Sequence, residues 1–149
     1  MNPDFRDLLQ EFNARSVEYL VVGAHALAAH GHVRATKVFD VWVRPEEQNA
    51  ARVIEALRAF GAPLQDLTTD DLLRPGVVFQ IGVPPVRVDI LTSISGVEFA
   101  EAWTGRFETR FAGLPVGVLA REHLIRNKRA TGRTQDLADI ERLEGSDAG

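Results

Sequence analysis

The chain has no cysteine and a single methionine among its 149 residues. The lack of thiols excludes disulfides and thiolate-bound metal, and it suits a reducing compartment. No run of about 18 apolar residues is present, which excludes a membrane-spanning helix. Asp4, Arg6 and Asp7 interrupt the apolar positions that an N-terminal signal peptide would need. These absences predict a cytoplasmic protein with no membrane partner. Excess positive charge is also missing: 17 Lys and Arg stand against 21 Asp and Glu, a net charge of −4. That excludes binding to nucleic acid over the whole surface and leaves only local patches. There is no internal repeat and no linker-like tract. With 45% hydrophobic and 26% charged residues, the composition predicts one domain over 1–149 with a real core, its last residues, 145–149, fraying.

Apolar periodicity and punctuating residues divide this domain into elements. Asn2 can cap and Pro3 can open a first helix, whose apolar positions Phe5, Leu8, Leu9 and Phe12 repeat at helical spacing as far as Ser16. Tyr19 to Val22 reads as a buried strand that passes through Gly23 into a short helix, Ala24 to His30, ended by Gly31. A strand follows at Thr36 to Val43. Pro45-Glu46-Glu47 then opens a helix to Phe60 with Val53, Ile54 and Leu57 as its buried stripe. Residues 64–75 read as a loop with a turn of helix at Thr69 to Leu73. Strands at Val77 to Ile81 and Val86 to Leu91 are joined as a hairpin by Gly82 to Pro85. A turn at Thr92 to Gly96, a helix at Phe99 to Trp103, weaker strands at Arg106 to Phe111 and Val116 to Val118, and helices at Arg121 to Thr131 and Gln135 to Leu143 complete an α/β domain with a mixed sheet.

Two acids stand out in the apolar strands. Side chains alternate along a strand, so Val38, Asp40 and Trp42 share one face while Phe39, Val41 and Val43 share the other. Asp40 is therefore a carboxylate in a hydrophobic setting, expensive to desolvate unless paired, hydrogen-bonded or bound to a cation. Asp89, in Val86-Arg-Val-Asp-Ile-Leu91, poses the same problem on a second strand. A pair of this kind suits Mg2+, which takes oxygen ligands from one or two carboxylates together with substrate phosphates.

The order of these features resembles the nucleotidyltransferase superfamily. Gly23-Ala24 is followed after thirteen residues by Val38-Phe39-Asp40 and later by Asp89, which matches a glycine turn, an acid-x-acid strand and a third acid. Within that superfamily the chain resembles bacterial proteins akin to the AbiEii abortive-infection toxins. The resemblance runs through Val22-Gly-Ala-His-Ala-Leu27, His30-Gly31, Arg34-Ala-Thr-Lys37, Leu124-Ile-Arg-Asn-Lys-Arg-Ala-Thr-Gly-Arg133 and Gln135-Asp-Leu-Ala-Asp139, covering roughly 18–143.

The resemblance implies a nucleotidyltransferase fold, with a mixed sheet flanked by helices and helices at the C-terminus. It also implies transfer of a nucleoside monophosphate from a magnesium- or manganese-bound triphosphate to a hydroxyl acceptor, whether RNA, protein or small molecule, in a toxin-like setting. Gly23, Ala24 and His25 would then line the nucleotide turn, Asp40 and Asp89 would hold metal and carry catalysis, and Lys128 would face the triphosphate; Arg34 and Lys37, which flank the acid strand, would either contact the triphosphate too or be ordinary surface cations. An antitoxin or a second copy is the implied partner, because the chain has no room for the large extra domain of many members.

Val38 departs from this pattern, since it stands where the first metal-binding acid belongs. An isopropyl group binds no cation, so weak or absent turnover is expected. Three accounts are open: a natural pseudoenzyme, an engineered substitution, or another acid reaching the gap. The alternative function is a catalytically dead nucleotide-binding or protein-interaction module, and a plain scaffold would satisfy its acids with Arg34 or Arg87.

Several residues carry bland readings beside the sharp ones. His25, His30 and His32 suggest a metal cluster, but helix packing and capping explain them as well. Arg121, Arg126, Lys128, Arg129 and Arg133 against Glu122 form a basic run that would either face phosphate or RNA or be a solvated helix face. Asp136 and Asp139 read as first-turn charges of the last helix. Trp42 and Trp103 could stack on a base, although a strand tryptophan is more often core.

Overall fold

In the computed structural model the described residues are 3–83 and 86–145. Asn2, expected to cap the first helix, Pro84 and Pro85 of the expected hairpin, and 146–149 of the expected frayed end lie outside them. Helix α1, Pro3–Ala14, buries the expected stripe Phe5, Leu8, Leu9 and Phe12. Strand β1, Tyr19–Val22, is buried throughout and runs directly into α2, Gly23–Ala29. Strand β2 spans Val38–Val43. It starts two residues later than expected because the Thr36 hydroxyl accepts from the Val38 amide at 3.2 Å and donates to the Val38 carbonyl at 3.0 Å. A local side-chain bond of this kind competes with the sheet ladder.

Helix α3, Glu47–Phe60, is capped by the Glu46 carboxylate on the Gln48 amide and ended by Gly61 at φ 93°. A single 3-10 turn, Asp71–Leu73, precedes β3, Val78–Ile81, and β4, Arg87–Leu91. Next come α4, Phe99–Thr104, and a hairpin of β5, Phe107–Phe111, and β6, Leu114–Val118. The hairpin turns on Ala112 at φ 50° and Gly113 at φ 82°, the two positive dihedrals that let a two-residue turn follow the strand twist. Helices α5, Arg121–Thr131, and α6, Thr134–Gly145, close the chain. Gly145, expected to fray, is the last residue of α6.

The six strands form one mixed sheet in the order β3-β4-β2-β1-β6-β5. β2 is central, antiparallel to β1 and parallel to β4. Both its faces are covered. Phe39 meets Phe5 of α1 with ring centres 5.0 Å apart, while Trp42, on the other face, meets Phe99 of α4 at 4.9 Å. Trp42 is 1% exposed and Phe39 fully buried, and burial of side chains this large stabilises by about 1.5–3 kcal/mol each.

The segment between β4 and α4 packs under α5. Asn127 donates to the Ser95 carbonyl at 2.9 Å, and a Cβ at Gly96 would stand 2.8 Å from that of Ala130. This contact carries Lys128 of α5 toward the acidic face of β2.

Candidate active site

The register between β2 and β4 decides the site. Asp40 pairs with Asp89, and Val38 pairs with Arg87, so four side chains share one patch of one sheet face. Asp40 also lies opposite Val22, the last residue of β1, which brings the Gly23 turn against it. Gly23 adopts φ +69°, and a Cβ there would lie 3.1 Å from the Asp40 Cγ and closer still to one carboxylate oxygen. The glycine is thus required twice, by its backbone and by its neighbour. Gly23→Ala is expected to cost about 2 kcal/mol or more in a urea melt, from left-handed strain plus the clash. An unchanged melt would show that the Asp40 carboxyl can turn away.

The two acids are solvated differently. Asp89 is buried and held by a two-pronged bond from Arg87, with Nε to Oδ1 and Nη2 to Oδ2 both at 2.9 Å. Asp40 is half-buried and makes no hydrogen bond or ion pair with any described residue. Its pKa is pushed up to about 6, first by burial and second by the Asp89 charge, with Arg87 and Lys128 pulling the other way. A carboxyl raised from the usual 3.8 holds its proton more tightly folded than unfolded. The part of the stability that depends on Asp40 is therefore full below about pH 4 and is lost as pH rises through 6. Asp40→Asn is expected to melt above the parent chain at pH 8 and level with it at pH 4. A gap independent of pH would remove this account.

The remaining expected residues fall around this patch in different states. Arg34 makes an ion pair with Asp139 rather than with Asp40. Lys128 is buried, with Nζ 3.0 Å from Asp139 Oδ2 and 3.4 Å from Asp136 Oδ1. Asp136 also accepts from Arg133 Nε at 2.8 Å and from the Thr131 hydroxyl at 2.6 Å. Arg133, followed by burial opposing it, fixes its carboxyl far below the ordinary range. For Asp139, burial pushes upward, but Arg34 and Lys128 outweigh it and hold the carboxyl low. Asp136 and Asp139, read from sequence as first-turn charges, are each 1% exposed and are the anions of a buried network. Their i, i+3 spacing on one helix face, with Lys128 a turn before the break at Gly132, was the signal available. Arg87, read from sequence as a scaffold cation, is the other residue that the acids alone did not reveal.

Lys37 lies exposed one residue before Val38, and Ala24 is half-buried at the start of α2. His25 packs against Phe39 and Phe5, at 4.6 and 5.9 Å between ring centres, and its Nδ1 has no hydrogen-bond partner among the described residues. Burial holds its pKa below the usual value. His30 meets the Leu119 carbonyl at 2.9 Å. Among the described residues no group of three or more His, Asp or Glu could hold an ion, so the histidines form no metal cluster. Ala24, His25 and Arg34 border a hollow of about 390 Å3 that Phe111 and Thr36 also line.

The basic run does not present an open positive face. Arg126 pairs with Glu101, Arg129 with Glu144 and Arg133 with Asp136. Arg121 donates to the Leu143 carbonyl at 2.8 Å. Trp42 is core, and Trp103 stands between Phe99 and Arg106, whose guanidinium lies 4.0 Å from its ring centre.

Donor chemistry decides whether a divalent ion fits. A carboxylate offers about four lone-pair sites, and Arg87 takes two of those on Asp89. Two remain, next to the uncommitted oxygens of Asp40. Asp40 and Asp89 could therefore hold one Mg2+ or Mn2+ whose remaining ligands come from outside the chain. Val38, which the sequence resemblance sets at the position of a first acid, offers no oxygen to a second ion.

No protein-family model and no curated protein matches the chain by sequence. Solved structures match it by shape. A Thermotoga maritima protein described as a provisional nucleotidyltransferase superposes with a TM-score of 0.62 at 13% identity, over 98% of this chain and 96% of that one. The lincosamide antibiotic adenylyltransferase LnuA, solved with lincomycin, gives 0.60 at 14%, over 97% and 96%. The antibiotic-resistance factor ANT(2'')-Ia, in complex with adenylyl-2''-tobramycin, gives 0.63 at 15%, over 97% and 87%. Across these likenesses the architecture of this chain is the nucleotidyltransferase fold.

Proposed function

We propose that this chain is a nucleotidyltransferase-like protein that binds a nucleoside triphosphate with one Mg2+ or Mn2+ at the β2–β4 patch. The observation that carries the reading is the cross-strand register of Asp40 and Asp89 with Gly23 pressed against Asp40. Two carboxylates and a glycine turn, drawn from three separate elements, converge where a phosphate chain and its cation can sit together.

The reaction the patch suits is attack by an acceptor hydroxyl on the α-phosphorus. The new phosphorus–oxygen bond forms as the bond to the β-bridging oxygen breaks, and pyrophosphate leaves. Asp40 and Asp89 would hold the ion, which when bound neutralises phosphate charge. Asp89, aimed by Arg87, has a lone pair left to orient the acceptor hydroxyl and take its proton. Gly23 leaves open the space a side chain would fill next to Asp40. LnuA and ANT(2'')-Ia carry small antibiotic ligands, which supports a small-molecule acceptor here over an RNA end or a protein hydroxyl. The neutralised basic helix supports the same preference. A toxin role with an antitoxin or second-copy partner is the finer reading that the sequence resemblance adds.

A second reading, a silent nucleotide-binding or interaction module, is favoured by Val38 and by the hold of Arg87 on both Asp89 oxygens. The transferase and the silent nucleotide-binding module both require triphosphate binding, whereas an interaction module or a plain scaffold requires none. Titration calorimetry with each of the four triphosphates and Mg2+ is expected to show one site per chain, weakened at least tenfold in Asp40→Asn. Absence of heat with all four would leave the interaction module or the scaffold.

A further inference from the structure

Arg87 is placed by the fold in a position the sequence pattern does not announce. It is the cross-strand partner of Val38, the residue at the missing-acid position, and it reaches two residues along its own strand to Asp89. Neighbouring strands lie about 4.8 Å apart and residues two apart on one strand about 6.6 Å. The base of the Arg87 side chain is therefore beside Val38, and its head is on the carboxylate that faces Asp40. Its charge is fixed, since a guanidinium does not lose its proton in proteins. Asp40, Asp89 and Arg87 together carry a net charge of −1 when both acids are ionised, whereas an acid at position 38 would make it −2. The patch with Val38 thus holds one charge fewer for divalent ions and already contains one cation.

We propose that the Arg87 guanidinium takes the charge position of a second divalent ion, so that this site engages its triphosphate with one ion and one arginine. The inference rests on the triphosphate-binding reading above. Its physical basis is substitution of like for like: a planar, weakly hydrated cation with five donors can bridge a carboxylate and a phosphate. Two of those donors are used on Asp89, which leaves the outer edge of the fork, on a side chain 30% exposed, for a phosphate oxygen. An acid in place of Val38 would compete for this cation and free Asp89 oxygens for a second ion.

The test counts ions rather than turnover. Mn2+ binding is followed by electron paramagnetic resonance in the presence of the α,β-methylene analogues of ATP, GTP, CTP and UTP, which cannot be cleaved at the reacting bond. One Mn2+ per chain is expected for the protein as it is, and two for Val38→Asp. In EDTA, residual affinity for the analogue is expected to fall at least tenfold in Arg87→Gln and by much less in Arg87→Lys, which retains the charge. The ion count on the unaltered chain and the Arg87→Lys arm decide the matter even where Arg87→Gln fails to fold. Two ions on the unaltered chain, or unchanged affinity in EDTA without the Arg87 charge, would overturn this inference and leave the triphosphate site standing. No analogue bound by either the unaltered chain or Val38→Asp would overturn both.

Discussion

Val38→Asp is expected to raise nucleotide transfer by on the order of 10²- to 10³-fold, the size of effect that one preorganised charge-stabilising group contributes. The reasoning starts from the register. Position 38 lies on the same face as Asp40, one pleat earlier, and a carboxylate there completes the acid-x-acid pair on a strand whose partner already presents Asp89. Position 38 is half-buried at the edge of β2, so the added charge reaches solvent and a cation rather than the core. The measurement is release of pyrophosphate, with transfer of the α-phosphate label, in a pool of aminoglycoside, lincosamide, RNA and protein acceptors. If the variant binds triphosphate as tightly as the parent chain and still transfers nothing, the Val38 account of silence fails. The silent nucleotide-binding module then becomes the better reading.

The largest effect on stability is expected at Asp139. This side chain is 1% exposed and faces two cations, Lys128 and Arg34, which come from α5 and from the segment before β2. Removal of one member of a buried ion cluster leaves its partners charged and desolvated, at a cost of about 3–5 kcal/mol. Asp139→Ala should lower the midpoint of thermal unfolding by about 10 °C, given roughly 2–4 °C per kcal/mol for a chain of this size. Arg34 would lose the contact that ties its segment to α6, so triphosphate affinity should fall as well. Arg129→Ala is the control, because its pair with Glu144 is exposed on both sides and is worth less than about 1 kcal/mol. Equal losses at the two positions would show that the network is solvated and contributes no more than a surface pair. At low pH the folded state should weaken as protons reach Asp136 and Asp139. Both are held below the ordinary carboxyl range, so the stability they contribute is present above about pH 4 and is lost as pH falls through their lowered values.

Much of the fold was legible in the chain because its signals are local. The stripe Phe5, Leu8, Leu9 and Phe12 is a helical period that needs no knowledge of what covers it, and it became the buried face of α1. Gly61 after Phe60, and Gly23 after Val22, punctuate elements through positive φ angles that glycine alone adopts at little cost. The strangeness of Asp40 and Asp89 was likewise local: an acid in an apolar strand is a question whatever the fold. Where strand ends were missed, as at Thr36, the cause was a hydroxyl bonding to the backbone two residues on, a choice that strand composition does not encode.

What the sequence determined by itself was the type and order of the elements and the two acids, since these depend on side-chain period, turn chemistry and residue identity within a few positions. Only the tertiary structure decided the partners. The β2–β4 register set Asp40 against Asp89 and Val38 against Arg87, and a shift of one residue would have sent these side chains to the opposite face. The packing of α5 and α6 turned Lys128 and Arg34 from free cations into the counter-charges of Asp139. A charge buried far from water takes whatever opposite charge the fold brings within reach, and that distance is set by the whole chain rather than by its neighbours in sequence.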